Sequence, residues 1–233
     1  MLDVENINTF YGESHILHDV SLSVSDGEIV ALVGRNGAGK TTTLRSITGI
    51  QPPETGTVRF ENEDITHEDI PSIAEKGIRI VLENRRPFPA LTVEENLQLS
   101  KDTTYGSEWT IDRIEEFLPR LGERMDQNAG SLSGGEQQML AMAQALVGNP
   151  KLMLLDEPLE GLAPQIVETI VEIIEKINDA GMPILLVEQD FNVCLDLMDR
   201  GYILHKGEIK LSGDVNDFLD AEDKIDRFLG VNI

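Results

Sequence analysis

Apolar and polar residues follow two different rhythms along this chain. Short unbroken apolar runs occur at EIVALVG (28–34), IRIVLE (78–83), LMLLDE (152–157) and PILLVEQ (183–189). Runs of this length read as strands buried on both faces, as in parallel sheets. The N-terminal stretch alternates instead: VENINTFY and VSLSVS read as half-exposed antiparallel strands. GTVRFENEDI (56–65), after the Pro52–Pro53 loop, reads as one further edge strand.

Between the strands the period changes to that of a helix. QIVETIVEIIEKIN puts Ile166, Ile170, Ile173 and Ile177 on one face and turns Glu168, Glu172 and Glu175 outward. Pro164 stands just ahead of it, where proline is tolerated. A second amphipathic stretch uses Ile111, Ile114, Phe117, Leu118 and Leu121. Strands and helices alternate, so the fold class is α/β with a largely parallel sheet. The sequence reads as one domain over residues 1–233. Its core comprises 1–83 and 148–233, and a helical insertion spans about 84–147. Neither repeats nor low-complexity linkers interrupt it.

Composition narrows the setting. Apolar residues make up 40% of the 233, enough for a sizeable core. No run approaches the ~20 apolar residues that cross a bilayer, and the polar, acidic start MLDVENINTFYG argues against a signal peptide. Cys194 is the only cysteine, which suits a reducing cytoplasm. The 42 acidic residues outnumber 19 basic ones, for a net charge of −23. Such a surface repels phosphate backbones and anionic headgroups, so nucleic acid and direct lipid binding are disfavoured as partners. With only eight lysines and acids spread along the chain, the composition suggests adaptation to high salt.

Two motifs carry phosphate chemistry. GRNGAGKT fits G-x-x-x-x-G-K-[ST] and follows a strand, the context that motif requires. Gly34, Gly37 and Gly39 allow the loop Gly34, Arg35, Asn36, Gly37, Ala38 and Gly39 to curl its N–H groups around phosphate oxygens. Lys40 would reach the β- and γ-phosphates, Thr41 would ligate Mg²⁺, and Thr42 could bond the α-phosphate. The following helix offers its N-terminus to the anion. LMLLDEP brings Asp156 to a strand's C-terminal end, where open α/β sheets bind ligands. Asp156 would hold Mg²⁺, and the adjacent Glu157 could serve as general base or orient a water.

With these motifs, LSGGEQQ (132–138) resembles the signature sequence of the ATP-binding cassette (ABC) ATPases, and the resemblance covers essentially the whole chain. It implies a P-loop NTPase (RecA-like) core with an antiparallel β subdomain and an inserted α-helical subdomain, binding ATP and Mg²⁺. In that family two cassettes meet head to tail. Leu132, Ser133, Gly134, Gly135 and Glu136 would then serve ATP held by the partner's P-loop, although Ser133 and Glu136 also suit a plain helix N-cap. The resemblance places Tyr11 against adenine. It places Glu83 where the family senses Mg²⁺ with glutamine, and Gln189 where it has a switch histidine. Gln189 cannot titrate as histidine does, which leaves the base role to Glu157.

ENRRPFPALTVEENL (83–97), the V-E-Q of residues 187–189 and GLAP (161–164) are similar to the branch of ABC importers for branched-chain amino acids. The glutamate in Pro158-Leu159-Glu160-Gly161 is also seen in the urea and short-chain amide branch. Departures are Asn84 for glycine, Ala163 for aspartate and Gln144 for arginine. The implied partners are membrane permease subunits docked near residues 83–98, a second ABC ATPase subunit and, indirectly, an external solute-binding protein. The implied location is the cytoplasmic face of the membrane, as a peripheral subunit. A non-transport ABC ATPase and a nucleotide-binding module without turnover are the competing classes.

Overall fold

The run IVALV forms a strand, Ile29–Val33, that is buried at every position. Successive side chains of a strand point to opposite faces, and here the two faces meet different layers. Ile29, Ala31 and Val33 join a core shared with the helical segment. Val30 and Leu32 join a second core with the N-terminal strands.

The computed structural model describes residues 1–83, 87–102, 104, 106 and 108–230. The chain begins with β1 (Leu2–Tyr11), β2 (Ser14–Val24), β3 (Ile29–Val33), α1 (Lys40–Ile47), β4 (Thr55–Phe60), β5 (Glu63–Asp64), α2 (Ile70–Glu75) and β6 (Ile78–Val81). The helical segment follows, with α3 (Val93–Ser100), α4 (Ile111–Phe117), α5 (Pro119–Gly122) and α6 (Gly134–Leu146). The chain then returns to the core through β7 (Leu152–Asp156), α7 (Pro164–Asp179), β8 (Ile184–Glu188) and α8 (Phe191–Leu197). It closes with β9 (Arg200–His205), β10 (Glu208–Asp214), α9 (Val215–Leu219) and α10 (Glu222–Leu229).

One sheet has the order β10-β9-β3-β8-β7-β6 and the other β2-β1-β4-β5. In the six-stranded sheet β3 pairs in parallel with both β8 and β9, and β7 with both β8 and β6. Only β10 runs antiparallel. The four-stranded sheet is antiparallel throughout. The α/β class with an added antiparallel sheet is therefore as expected.

Three local expectations are corrected. GTVRFENEDI is two strands rather than one. Glu61 and Asn62 adopt positive φ, 51° and 68°, and turn β4 back onto the two-residue β5. Since β4 pairs with β1 on its other side, it is not the edge. The stretch from Ile111 to Leu121 is two helices, α4 and α5, with Leu118 at φ −121° and ψ 72° between them. Pro119 explains the break, because it lacks an N–H and drives the preceding residue out of helical geometry. Pro164 lies inside α7 as a residue of its first turn. On that helix Ile170, Ile173, Ile174 and Ile177 are buried, Ile166 is half-buried, and Glu168, Glu172 and Glu175 are exposed. Asn84, Arg85 and Arg86 of the 83–97 run lie outside the described residues.

Candidate functional site

Parallel pairing sets the site. β3, β8 and β7 are neighbours, with Val33 opposite Glu188 and Val187 opposite Asp156. Their C-terminal ends therefore deliver the loop 34–39, the pair Glu188–Gln189 and the pair Asp156–Glu157 to one edge. Open α/β sheets bind ligands at such an edge.

The loop is shaped by its glycines for two separate reasons. Gly37 and Gly39 have φ of 78° and 113°, a region costly for a residue with a side chain. Gly34 has no positive φ. It is small because a Cβ there would lie 2.5 Å from the Leu204 carbonyl oxygen on β9. Close approach, rather than curl, is thus its requirement. Gly39 caps α1 without any side-chain acceptor, which leaves first-turn N–H groups for an anion.

A cavity of about 420 Å³ opens over this helix end. Of the residues expected to hold nucleotide or metal, Tyr11, Asn36, Gly37, Gly39, Lys40, Thr41, Thr42, Glu83 and Glu157 line it. Tyr11 stands at the end of β1, partly exposed, with its hydroxyl accepting from Arg45 Nη1 at 3.3 Å. Gly34 lies below, where its carbonyl accepts from Lys40 Nζ at 2.7 Å. Arg35 and Ala38 face a neighbouring pocket with His205 and Lys206.

The floor is made of charges held close together. Lys40 Nζ is 3.0 Å from Glu157 Oε1. Gln189 Nε2 donates to Glu157 Oε2 at 3.0 Å. Thr41 Oγ1 donates to Asp156 Oδ1 at 3.2 Å. Burial is the chief influence on Asp156 and pushes its carboxyl up to about 6, against the Thr41 bond. Burial also raises Glu157, but bonds with Glu160, Lys40 and Gln189 outweigh it and hold that carboxyl below the ordinary value. Glu157 adopts φ 48°. That left-handed backbone is strained for a side-chain-bearing residue, by ~1–2 kcal/mol; strain of this kind clusters at functional sites.

Three participants escaped the sequence reading. Ile16 and Glu160 join the cavity wall. Interaction with the Glu157 carboxyl, together with some desolvation, raises the Glu160 carboxyl to about 7. Glu188, at the end of β8, is 4% exposed and bonds the backbone N–H groups of Leu159 and Gln189. Burial pushes it up to about 7. The available signal was a charged residue closing an apolar strand run.

The LSGGEQQ residues sit elsewhere. Leu132 is buried, and none of residues 132–136 lines the 420 Å³ cavity. Ser133 caps α6, its Oγ accepting from Glu136 N at 3.3 Å while Glu136 Oε2 accepts from Ser133 N at 2.8 Å. Arg124 adds an ion pair to Glu136 at 2.5 Å. Gly135 is buried against α7, where a Cβ would meet Ile166 Cγ2 at 2.4 Å.

A glycine-shaped loop opening a helix, a strand-end Asp–Glu pair and a separate capped glycine helix are thus on one chain. The ABC transporter family profile matches residues 17–160. The chain belongs to the ABC transporter ATPase family. The branched-chain amino acid transport ATP-binding protein BraG of Pseudomonas aeruginosa is 46% identical over 90% of this chain and 91% of that protein. The probable branched-chain amino acid transport ATP-binding protein LivF of Archaeoglobus fulgidus is 39% identical over 95% of each. The lipopolysaccharide export ATP-binding protein LptB of Escherichia coli K12 is 34% identical over 98% of this chain and 97% of that one. Among solved structures, an ABC transporter cassette in its ADP conformation superposes with a TM-score of 0.86 at 29% identity, covering 99% of both chains. A dimeric cassette bound to ADP and phosphate superposes at 0.77, with 28% identity, over 92% of this chain and 99% of that one. This ABC cassette is accordingly an ATP-binding, ATP-hydrolysing subunit of a transporter.

Among the described residues no cluster of His, Cys, Asp and Glu would hold a metal alone. The Thr41 hydroxyl, which lines the cavity, and the Asp156 carboxylate behind it are hard oxygen donors 3.2 Å apart. They suit Mg²⁺, which binds through one or two protein oxygens plus substrate phosphates and water.

Proposed function

We propose that this cassette drives an importer for branched-chain amino acids. The observation that carries the reading is the 46% identity to BraG across nine-tenths of both chains. It is supported by the ENRRPFPALTVEENL run and by glutamine, in place of histidine, at 189. Gly34 to Thr42 bind the phosphates of ATP, Tyr11 stacks on the base, and Thr41, Asp156 and Glu83 serve Mg²⁺. Bound Mg²⁺ would neutralise phosphate charge. Glu157 takes the proton of the attacking water, and Gln189 holds Glu157 and senses the γ-phosphate by hydrogen bonding.

Leu132 to Glu136 meet ATP bound by a second cassette, so ATP favours the closed pair and hydrolysis releases it. Among the described residues no helix is long and apolar enough to cross a membrane. In this reading the cassette works at the cytoplasmic face through permease subunits, fed by an external solute-binding protein. Phe88 and Leu99, 60% and 64% exposed, support the expected docking surface near residues 83–98. The segment from α3 to α6 transmits the motion.

Reconstituting the cassette with its permeases and binding protein in vesicles tests the reading. ATP-dependent uptake of leucine, isoleucine or valine is expected. Uptake of urea or short-chain amides instead would overturn the solute assignment, and no association with any permease would overturn transport. The net charge of −23 supports adaptation to concentrated salt, where a Debye length of about 3 Å at 1 M quenches self-repulsion. Urea melts across a salt series should show stability rising with salt; full stability at low salt would sink that idea.

A further inference from the structure

One buried carboxylate at this site has no place in the scheme above. Glu188 closes β8 and is 4% exposed. Its Oε1 accepts from the Leu159 backbone N–H at 3.0 Å, and its Oε2 from the Gln189 N–H at 3.2 Å. These contacts lie on both sides of Glu157. The Gln189 side chain donates to Glu157 Oε2 at 3.0 Å. Leu159 is two residues beyond Glu157, across Pro158, which has no N–H to anchor the turn.

The loop needs such an anchor. Glu157 holds φ 48°, and such strain persists only where the surroundings over-determine it. Before the strained residue, Glu157 N donates to Val187 O at 2.8 Å. After it, Leu159 N–H finds its acceptor on Glu188. Without that carboxylate the buried N–H would be left unpaired, and the turn would keep only the Glu160 N–H to Glu157 carbonyl bond, at 3.2 Å.

We propose that Glu188 is a positioning residue for ATP hydrolysis: its carboxylate ties the loop after Glu157 to the backbone of Gln189, and so aims the Glu157 carboxylate at the attacking water. The inference rests on Glu157 being the base. It assigns Glu188 no contact with nucleotide.

The test compares Glu188→Gln, which keeps one acceptor oxygen, with Glu188→Leu, similar in size and without any. Each is assembled with the permease subunits and assayed for steady-state phosphate release. The expected result is a fall in kcat of about tenfold for Glu188→Gln and about a hundredfold for Glu188→Leu, the scale of an ångström's misplacement. KM for ATP should stay within about twofold, because the brace acts in the reaction and not in binding. In a Glu157→Gln background, Glu188→Gln should cost nothing further in single-turnover rate, since the group it aims is gone. Wild-type kcat in both variants, a parallel change in KM, or the same cost with and without Glu157 would each overturn the proposal. If Glu188→Leu does not fold, Glu188→Gln and the double variant decide. A wild-type rate in Glu157→Gln alone would instead overturn the assignment of the base.

Discussion

Replacing Glu157 with glutamine should move ATP affinity and turnover in opposite directions. The Lys40 ammonium lies 3.0 Å from Glu157 Oε1, with only 3% and 8% of the two side chains exposed. At that separation, unit charges attract by roughly 5 kcal/mol at an effective dielectric near 20. Removing both groups from water offsets most of this. What remains is a charge-assisted hydrogen bond, ~1.5–3 kcal/mol, which weakens toward the low end of that range once only the ammonium is charged. A nucleotide phosphate must draw Lys40 away from that carboxylate. Glutamine keeps the shape and gives up the charge, so ATP should bind more tightly by ~1 kcal/mol, about fivefold. Lys40 keeps its bond to the Gly34 carbonyl, so the loop should stay folded. Turnover loses its base and should fall ~10²–10⁴-fold. Equilibrium titration with a fluorescent ATP analogue reads the first effect, and phosphate release with permeases present reads the second. A trapped ATP-bound pair of cassettes should appear on size exclusion. Weaker ATP binding would refute the competition for Lys40, and undiminished turnover would refute the role of Glu157.

Gly34→Ala should cost ~1–3 kcal/mol, as overpacking does, because its Cβ would sit 2.5 Å from the Leu204 backbone oxygen; an unchanged Tm in thermal melts would contradict this. Glu188 also predicts a pH dependence of stability. Its carboxyl is raised from 4.5 to about 7 in the folded chain, so the fold binds the proton more tightly than the unfolded chain does. The contribution of Glu188 to stability should therefore decline as pH rises from about 4.5 and level off above about 7, by an amount of order 3 kcal/mol. Urea melts at fixed salt should show the wild type losing stability relative to Glu188→Gln across this range. Equal slopes would assign the pH dependence to other groups.

Much of the site was legible because its signals are local. The apolar runs at 29–33, 152–156 and 184–188 became strands buried at every position. The 3.6-residue period found α7, and the serine–glutamate spacing found the α6 cap. GRNGAGKT and LMLLDEP could be read because each motif pairs its chemistry with a strand end, which a short window contains. The breaks were harder. Pro119 divides an apolar stripe whose period runs on through it, and the Glu61–Asn62 turn lies inside the run read as a single strand.

What tertiary structure alone decided is which strand ends meet. β8 lies between β3 and β7, although 150 residues of chain separate Val33 from Ile184 and the entire helical segment precedes β7. Strand order in a parallel sheet depends on pairing between distant segments, and no local period records it. That order sets Gln189 against Glu157, Thr41 against Asp156 and Glu188 against the Leu159 N–H. By itself the sequence determined the chemical groups and the strands that carry them. Their distances, the burial that raises Asp156 and Glu188, and the strain at Glu157 came from packing, which brings carboxylates out of water only once the sheet is assembled.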